Sequence, residues 1–137
     1  MKSLRISIAL ALVMALSVLT GCRKHYINGD LDGQWQILTT EYVSDGHVDN
    51  VKNKQIYYNF NLHTVHLRQV FATPGAVLGN MKYDKSTLSL DFPTVENTSD
   101  LSAWGMNAVS TTFTVKHLSH EKLVMESDYA VISCRKF

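Results

Sequence analysis

From Gly33 to the end of the chain, apolar and polar side chains alternate in short runs. In "QWQILTTEYV", residues 34 to 43, Trp35, Ile37 and Thr39 share one side, and Gln34, Gln36 and Thr40 share the other. A period of two marks a strand with one buried face. The alternation recurs over 52–61, 63–72, 76–84, 87–92, 108–118, 122–128 and 129–137. The inward sets are Ile56, Tyr58 and Phe60; Val65, Leu67, Gln69 and Phe71; Leu88, Leu90 and Phe92; Val109, Thr111, Phe113 and Val115; Leu123 and Met125; and Ala130, Ile132 and Cys134. The opposite parity carries Asn59, Thr64, His66, Arg68, Lys82, Asp91, Ser110, Thr112 and Lys116, so one face of the sheet is wet.

The links between these runs are turn chemistry: "SDGHVDN", Thr73-Pro74-Gly75, Lys85-Ser86 and Ser119-His120-Glu121. One longer break, "PTVENTSD", leads into "LSAWGM", residues 101 to 106. This piece is predicted as a short helix between the fifth and sixth strands, with Ser99 or Asp100 as N-cap. Parallel pairing needs crossovers of about a dozen residues or more, so the eight strands are expected to pair antiparallel, neighbour to neighbour. Closure of such a sheet abolishes its edges. The expected fold is therefore all-β, an eight-stranded antiparallel up-and-down barrel.

The N-terminus obeys another rule. Lys2 and Arg5 precede the apolar run Ile6 to Leu19. That run has the length of a helical signal-peptide core and is short for a membrane span. It ends in Leu19-Thr20-Gly21-Cys22. This ending resembles the lipobox of bacterial lipoproteins. The resemblance implies that Cys22 carries a diacylglyceryl thioether and becomes an acylated N-terminus after cleavage. One acyl chain holds a protein only marginally, whereas several hold it stably. The expected organisation is a signal peptide over 1–21, a lipidated cysteine and tether over 22–32, and a barrel domain over 33–137. Arg23 stands after the cysteine in place of an acidic residue, which is similar to outer-membrane sorting in such lipoproteins. Arg23, Lys24 and His25 suit anionic headgroups beside the lipid.

Charge and cysteines narrow the picture. Without Lys2 and Arg5 the thirteen basic side chains become eleven, against twelve acidic ones. No strong positive field remains to attract nucleic acid. With Cys22 lipidated, Cys134 is the one other cysteine, and its setting "AVISCRKF" reads as a buried strand position rather than a catalytic thiol.

"GQW", Gly33 to Trp35, resembles the Gly-x-Trp signature of lipocalins. The resemblance implies that Trp35 plugs the closed end of an eight-stranded barrel. It also implies that a cationic side chain near the end of the last strand, Arg135 or secondarily Lys136, packs over the indole. A cation over an indole contributes about 0.5–2 kcal/mol. "LDGQW", "WGM", "TTFTV", "LVMESDY" and the terminal "RKF" look like the lipocalin-like domains of small bacterial lipoproteins. The chain is short for a lipocalin and lacks the long helix that many place after the barrel, which puts a large ligand cavity in question.

Two functions are therefore expected in turn. The first is binding of a small apolar or amphipathic ligand inside the barrel. The inward polar residues Glu41, Tyr58, Gln69, Tyr83 and Thr111 are its candidate contacts; Trp104 and Met106 form either a lid over the mouth or, as apolar side chains in a short link usually do, a packed cap. The second is a filled barrel that serves as an accessory or adaptor for another envelope protein. An enzyme is not expected: phosphate loops, nucleophile elbows and His-Glu-x-x-His are missing from the sequence. Strand spacing places His63 and His66 on opposite faces, while His117 and His120 straddle a turn where they could converge; no cysteine or carboxylate cluster completes a tetrahedral set, so no metal site or cofactor is expected.

Overall fold

The computed structural model describes residues 26–71 and 76–137. Cys22, the signal segment and the Thr73-Pro74-Gly75 turn lie outside the described residues. The strands are β1 (Gly33–Tyr42), β2 (Val48–Asn50), β3 (Ile56–Asn61), β4 (Thr64–Gln69), β5 (Ala76–Asp84), β6 (Thr87–Asp91), β7 (Ser110–Leu118), β8 (Lys122–Glu126) and β9 (Ala130–Lys136). All pairings are antiparallel, and β9 returns to β1. Eight strands thus close a barrel, as the short links require.

The ninth strand, β2, falls within the segment read as a turn. Its origin is geometric. β3 pairs with β1 only from Gly33 to Gln36, which leaves the far half of β1 unpaired on that side. Residues Val48 to Asn50 cover this stretch against Thr39 to Glu41. Residues 52 to 55, read as the start of the second strand, instead form a 3-10 turn over Lys52–Lys54. Gln55 ends it in the left-handed region at φ 52°.

Strand β1 carries a bulge. Ile37 pairs with Cys134 and Thr39 with Ser133, so Leu38 is an extra residue without an opposite number. A bulge inverts the parity of the residues beyond it. Thr39 therefore does not face the core as its spacing predicts, and Thr40, read as outward, is buried. The reading of Glu41 as an inward residue fails for the same reason: it is exposed. Phe71, also read as inward, is 98% exposed, because β4 ends at Gln69 and Phe71 turns away with φ 67°.

The interior is otherwise the predicted one. Trp35, Ile37, Tyr58, Phe60, Val65, Leu67, Leu88, Leu90, Phe92, Phe113, Leu123, Met125, Ile132 and Cys134 form one buried cluster. Gly79 faces the same interior, and a Cβ there would lie 2.4 Å from Cε1 of Phe92. The ring of Phe92 therefore fills the space that a side chain on β5 would take.

The two barrel ends differ. At the end where β1 begins lie residues 26–32, the hairpin tips after β3, β5 and β7, and the C-terminus. Residues 26–32, read as the end of a tether, dock on the barrel floor through Asn28, Leu31 and Asp32, with Tyr26 and Ile27 left exposed. Leu31 is buried in a 3-10 turn over Gly29–Leu31, and the Asp32 carboxylate accepts from the Asn28 amide and side chain at 3.1 and 2.7 Å. At the opposite end the β6–β7 link forms a 3-10 helix, Thr98–Trp104. Its N-cap is Asn97 rather than Ser99 or Asp100. The Asn97 side chain accepts from the Ser99 amide at 3.1 Å, which places Ser99 and Asp100 inside the first turn. Gly105 closes the helix at φ 68°.

Candidate functional site

The closed end is built around Trp35. Its indole Nε1 donates to the Leu31 carbonyl at 2.8 Å, which ties the incoming chain to the barrel floor. In register, Trp35 stands between Tyr58 on β3 and Lys136 on β9. The cation over the indole is Lys136, with Nζ 4.3 Å from the ring centroid, and not Arg135. Strand parity explains the correction: Cys134 faces inward, so Lys136 shares its side and Arg135 points out. Lys136 Nζ also donates to the carbonyls of Asp30, at 2.9 Å, and Asp32. Arg135 has a different task on the outer wall. Its Nε donates to Gln36 Oε1 at 2.9 Å, while Gln36 Nε2 donates to the Lys52 carbonyl at 2.9 Å. Gly33 stands at φ 116°, and a Cβ there would meet the Lys136 side chain at 3.2 Å. Replacing Lys136 with methionine removes two charge-assisted hydrogen bonds and the ring contact. Chemical denaturation should register a loss of about 1–3 kcal/mol.

The opposite end, where a ligand mouth would open, is closed by the β6–β7 link. Leu101, Trp104 and Met106 are buried there. Trp104 Nε1 donates to the Tyr57 carbonyl at 3.0 Å, and the Tyr58 hydroxyl donates to the Trp104 carbonyl. Trp104 is therefore a cap seated on β3. Burial and the neighbouring Cys134 push the Tyr58 hydroxyl well above its ordinary pKa, so it stays a neutral donor. Burial likewise raises the Cys134 thiol, which suits a packed side chain and not a nucleophile.

The candidate ligand contacts do not converge. Glu41 lies on the outside, and Tyr58 spends its hydroxyl on the cap. The Tyr83 hydroxyl donates to the Lys85 carbonyl at 2.9 Å, at the opposite end from the cap. The Thr111 hydroxyl donates to the Ala108 carbonyl at 3.2 Å, and Gln69 sits half-buried at the end of β4. Among the described residues, no buried side-chain nitrogen or oxygen lacks a partner. Nor do three His, Cys, Asp or Glu side chains gather among them as a metal would need.

The arrangement of a Trp-plugged, eight-stranded closed barrel agrees with the comparison of the sequence against known families. The profile described as a lipocalin-like domain matches residues 17–137. The chain belongs to the lipocalin-like domain family. A solved lipocalin-like protein from Bacteroides uniformis is 26% identical, with a TM-score of 0.64 over 80% of this chain and 100% of that one. An uncharacterised protein from Bacteroides eggerthii shares the fold at 19% identity, with a TM-score of 0.59 over 77% of this chain and 98% of that one. No curated protein matches significantly.

In this lipocalin-like domain the centre is solid. Trp35, Ile37, Tyr58, Val65, Leu67, Leu88, Phe92, Phe113, Leu123, Met125 and Ile132 are each 0% exposed. A cavity able to hold even one water would leave its lining accessible to a water-sized sphere. Clefts flank this centre at both ends, and one of about 510 Å³ lies at the cap end among Val77, Leu78, Val95 and Asp100. Another of about 740 Å³ sits beside the closed end, among Tyr26, Asp30, Asn59, His120, Lys136 and Phe137. Leu31 is a core residue that alternation could not find, because it lies in a link rather than in a strand.

Proposed function

We propose that the protein is a lipid-anchored accessory of the cell envelope whose packed barrel works through its outer surface. The packed centre carries this reading. An eight-stranded barrel can be filled by side chains or can hold one small ligand. Here the inward positions are filled, and a ligand inside would have to displace Trp104 and Met106 from the mouth. The reading needs no catalytic step: the buried Tyr58 and Cys134 are kept neutral, and the exposed His120–Asp30 pair, 2.8 Å apart, sits outside the barrel beside the closed end.

Two experiments test it. A fluorescent fatty acid should show no saturable binding to the wild-type protein, and stoichiometric binding would restore the ligand-carrier reading. The anchor rests on the lipobox resemblance at Cys22, with Arg23 pointing to the outer membrane. Cys22→Ala should leave an unprocessed, unacylated precursor when the chain is expressed in bacteria. Normal cleavage and lipid attachment in that variant would remove the lipobox reading.

A further inference from the structure

The closed end exposes apolar side chains where a barrel floor would ordinarily be polar. Phe137 is 67% exposed, Tyr26 53%, and Ile27 and Leu62 47% each. They come from three separate chain segments that the fold brings to one end. Tyr26 and Phe137 line the same cleft. The Asn28 side chain donates to the Leu62 carbonyl at 2.8 Å, which joins the segment after Ile27 to the β3–β4 tip. Phe137 is held by its amide, which donates to the Gln34 carbonyl at 2.9 Å, and by an edge contact with Tyr57 at 5.0 Å. Leu62 stands at φ 56°, a backbone region where glycine or asparagine is the usual choice. A leucine there accepts strain and places an apolar side chain at the tip of a hairpin.

The chain itself says what faces this end. Three residues separate Tyr26 from Cys22, and each of the four steps spans at most about 3.6 Å, so Tyr26 lies within about 14 Å of the anchor cysteine. Arg23, Lys24 and His25 fill that interval and favour anionic headgroups. Lys85 lies on the β5–β6 tip at the same end, in a cleft that holds Ile27 and Leu118 together with Asp30 and Asp84. Aromatic rings, aliphatic tips and basic side chains are the composition of an interfacial surface. The exposed apolar residues Val43, Val48 and Phe71 lie at the other end, which such a short tether turns away from the bilayer.

We propose that the closed end is a membrane seat: Tyr26, Ile27, Leu62 and Phe137 enter the headgroup and acyl boundary of the leaflet that holds the lipid on Cys22. This rests on the lipid-anchor reading of Cys22. The seat fixes the barrel upright, with the Trp104 cap pointing away from the membrane.

The test uses the acylated full-length product in vesicles of phosphatidylethanolamine and phosphatidylglycerol that carry brominated acyl chains. Tryptophan is introduced as L62W, F137W or V48W. Both seat positions are exposed, so either variant can stand in for the other if one folds poorly. Vesicle flotation and the mass of the acylated N-terminus report the anchor independently of the seat. Emission of L62W and F137W should shift to the blue and be quenched by the brominated lipid. V48W should be quenched no more than the wild type, whose Trp35 and Trp104 are buried. Protein that floats, with L62W and F137W as unquenched as V48W, overturns the seat and leaves the anchor standing. Protein that carries no lipid and does not float overturns both.

Discussion

Replacing Trp35 with alanine should destabilise the protein by about 3–5 kcal/mol, the range of a large aromatic deleted from a packed core. The indole is fully buried and joins three parts of the molecule. It accepts the Lys136 ammonium on its face, donates to Leu31 in the incoming segment, and lies in register between Tyr58 and Lys136. Its loss leaves the Leu31 carbonyl without that donor and Lys136 over a void. Urea denaturation measures the effect through the transition midpoint at constant slope. A loss under about 1 kcal/mol is the behaviour of a surface residue and would contradict the plugged floor.

Trp104→Ala should cost a similar amount, about 3–5 kcal/mol, and should also change what the protein binds. Trp104 fills the mouth of the barrel and donates to the Tyr57 carbonyl, while its own carbonyl accepts from Tyr58. Truncation leaves an apolar space beneath Leu101 and Met106. Engineered apolar cavities stay dry and admit small apolar molecules such as benzene or xenon. The variant should take up benzene, seen as ligand-dependent shifts in its NMR spectrum and a rise in thermal midpoint. The wild type should do neither. Equal uptake by both proteins would mean that the mouth is already open.

The fold is legible in the sequence because each strand obeys one local rule. Period-two alternation places the long strands and most of the core, and the short links dictate antiparallel closure. The departures have physical causes that alternation does not contain. The Leu38 bulge arises from the pairing of β1 with β9 and inverts Thr39, Thr40 and Glu41. β2 exists because β3 leaves half of one edge of β1 bare. Phe71 comes after the end of β4, where the alternation has no further partner strand to serve. The choice of Lys136 over Arg135 is within reach of parity alone, since the alternation already turns Cys134 to the interior. The state of the candidate site is less legible. Tyr58 and Thr111 are inward polar residues as their spacing predicts. Whether a hydroxyl there greets a ligand or a neighbouring carbonyl is decided by the path of the 92–109 link, which carries no periodic signal.

The packed centre is the claim on which the functional account turns, and native mass spectrometry of the processed domain tests it most directly. The protein is purified gently from cells of its source type, exposed to a lipid extract of the same cells, and weighed before and after organic-solvent treatment. The account predicts the bare polypeptide mass with its Cys22 modification and no further adduct at either stage. A reproducible additional mass that solvent releases, and that Trp104→Ala alters, would contradict it and would show a ligand held within the barrel.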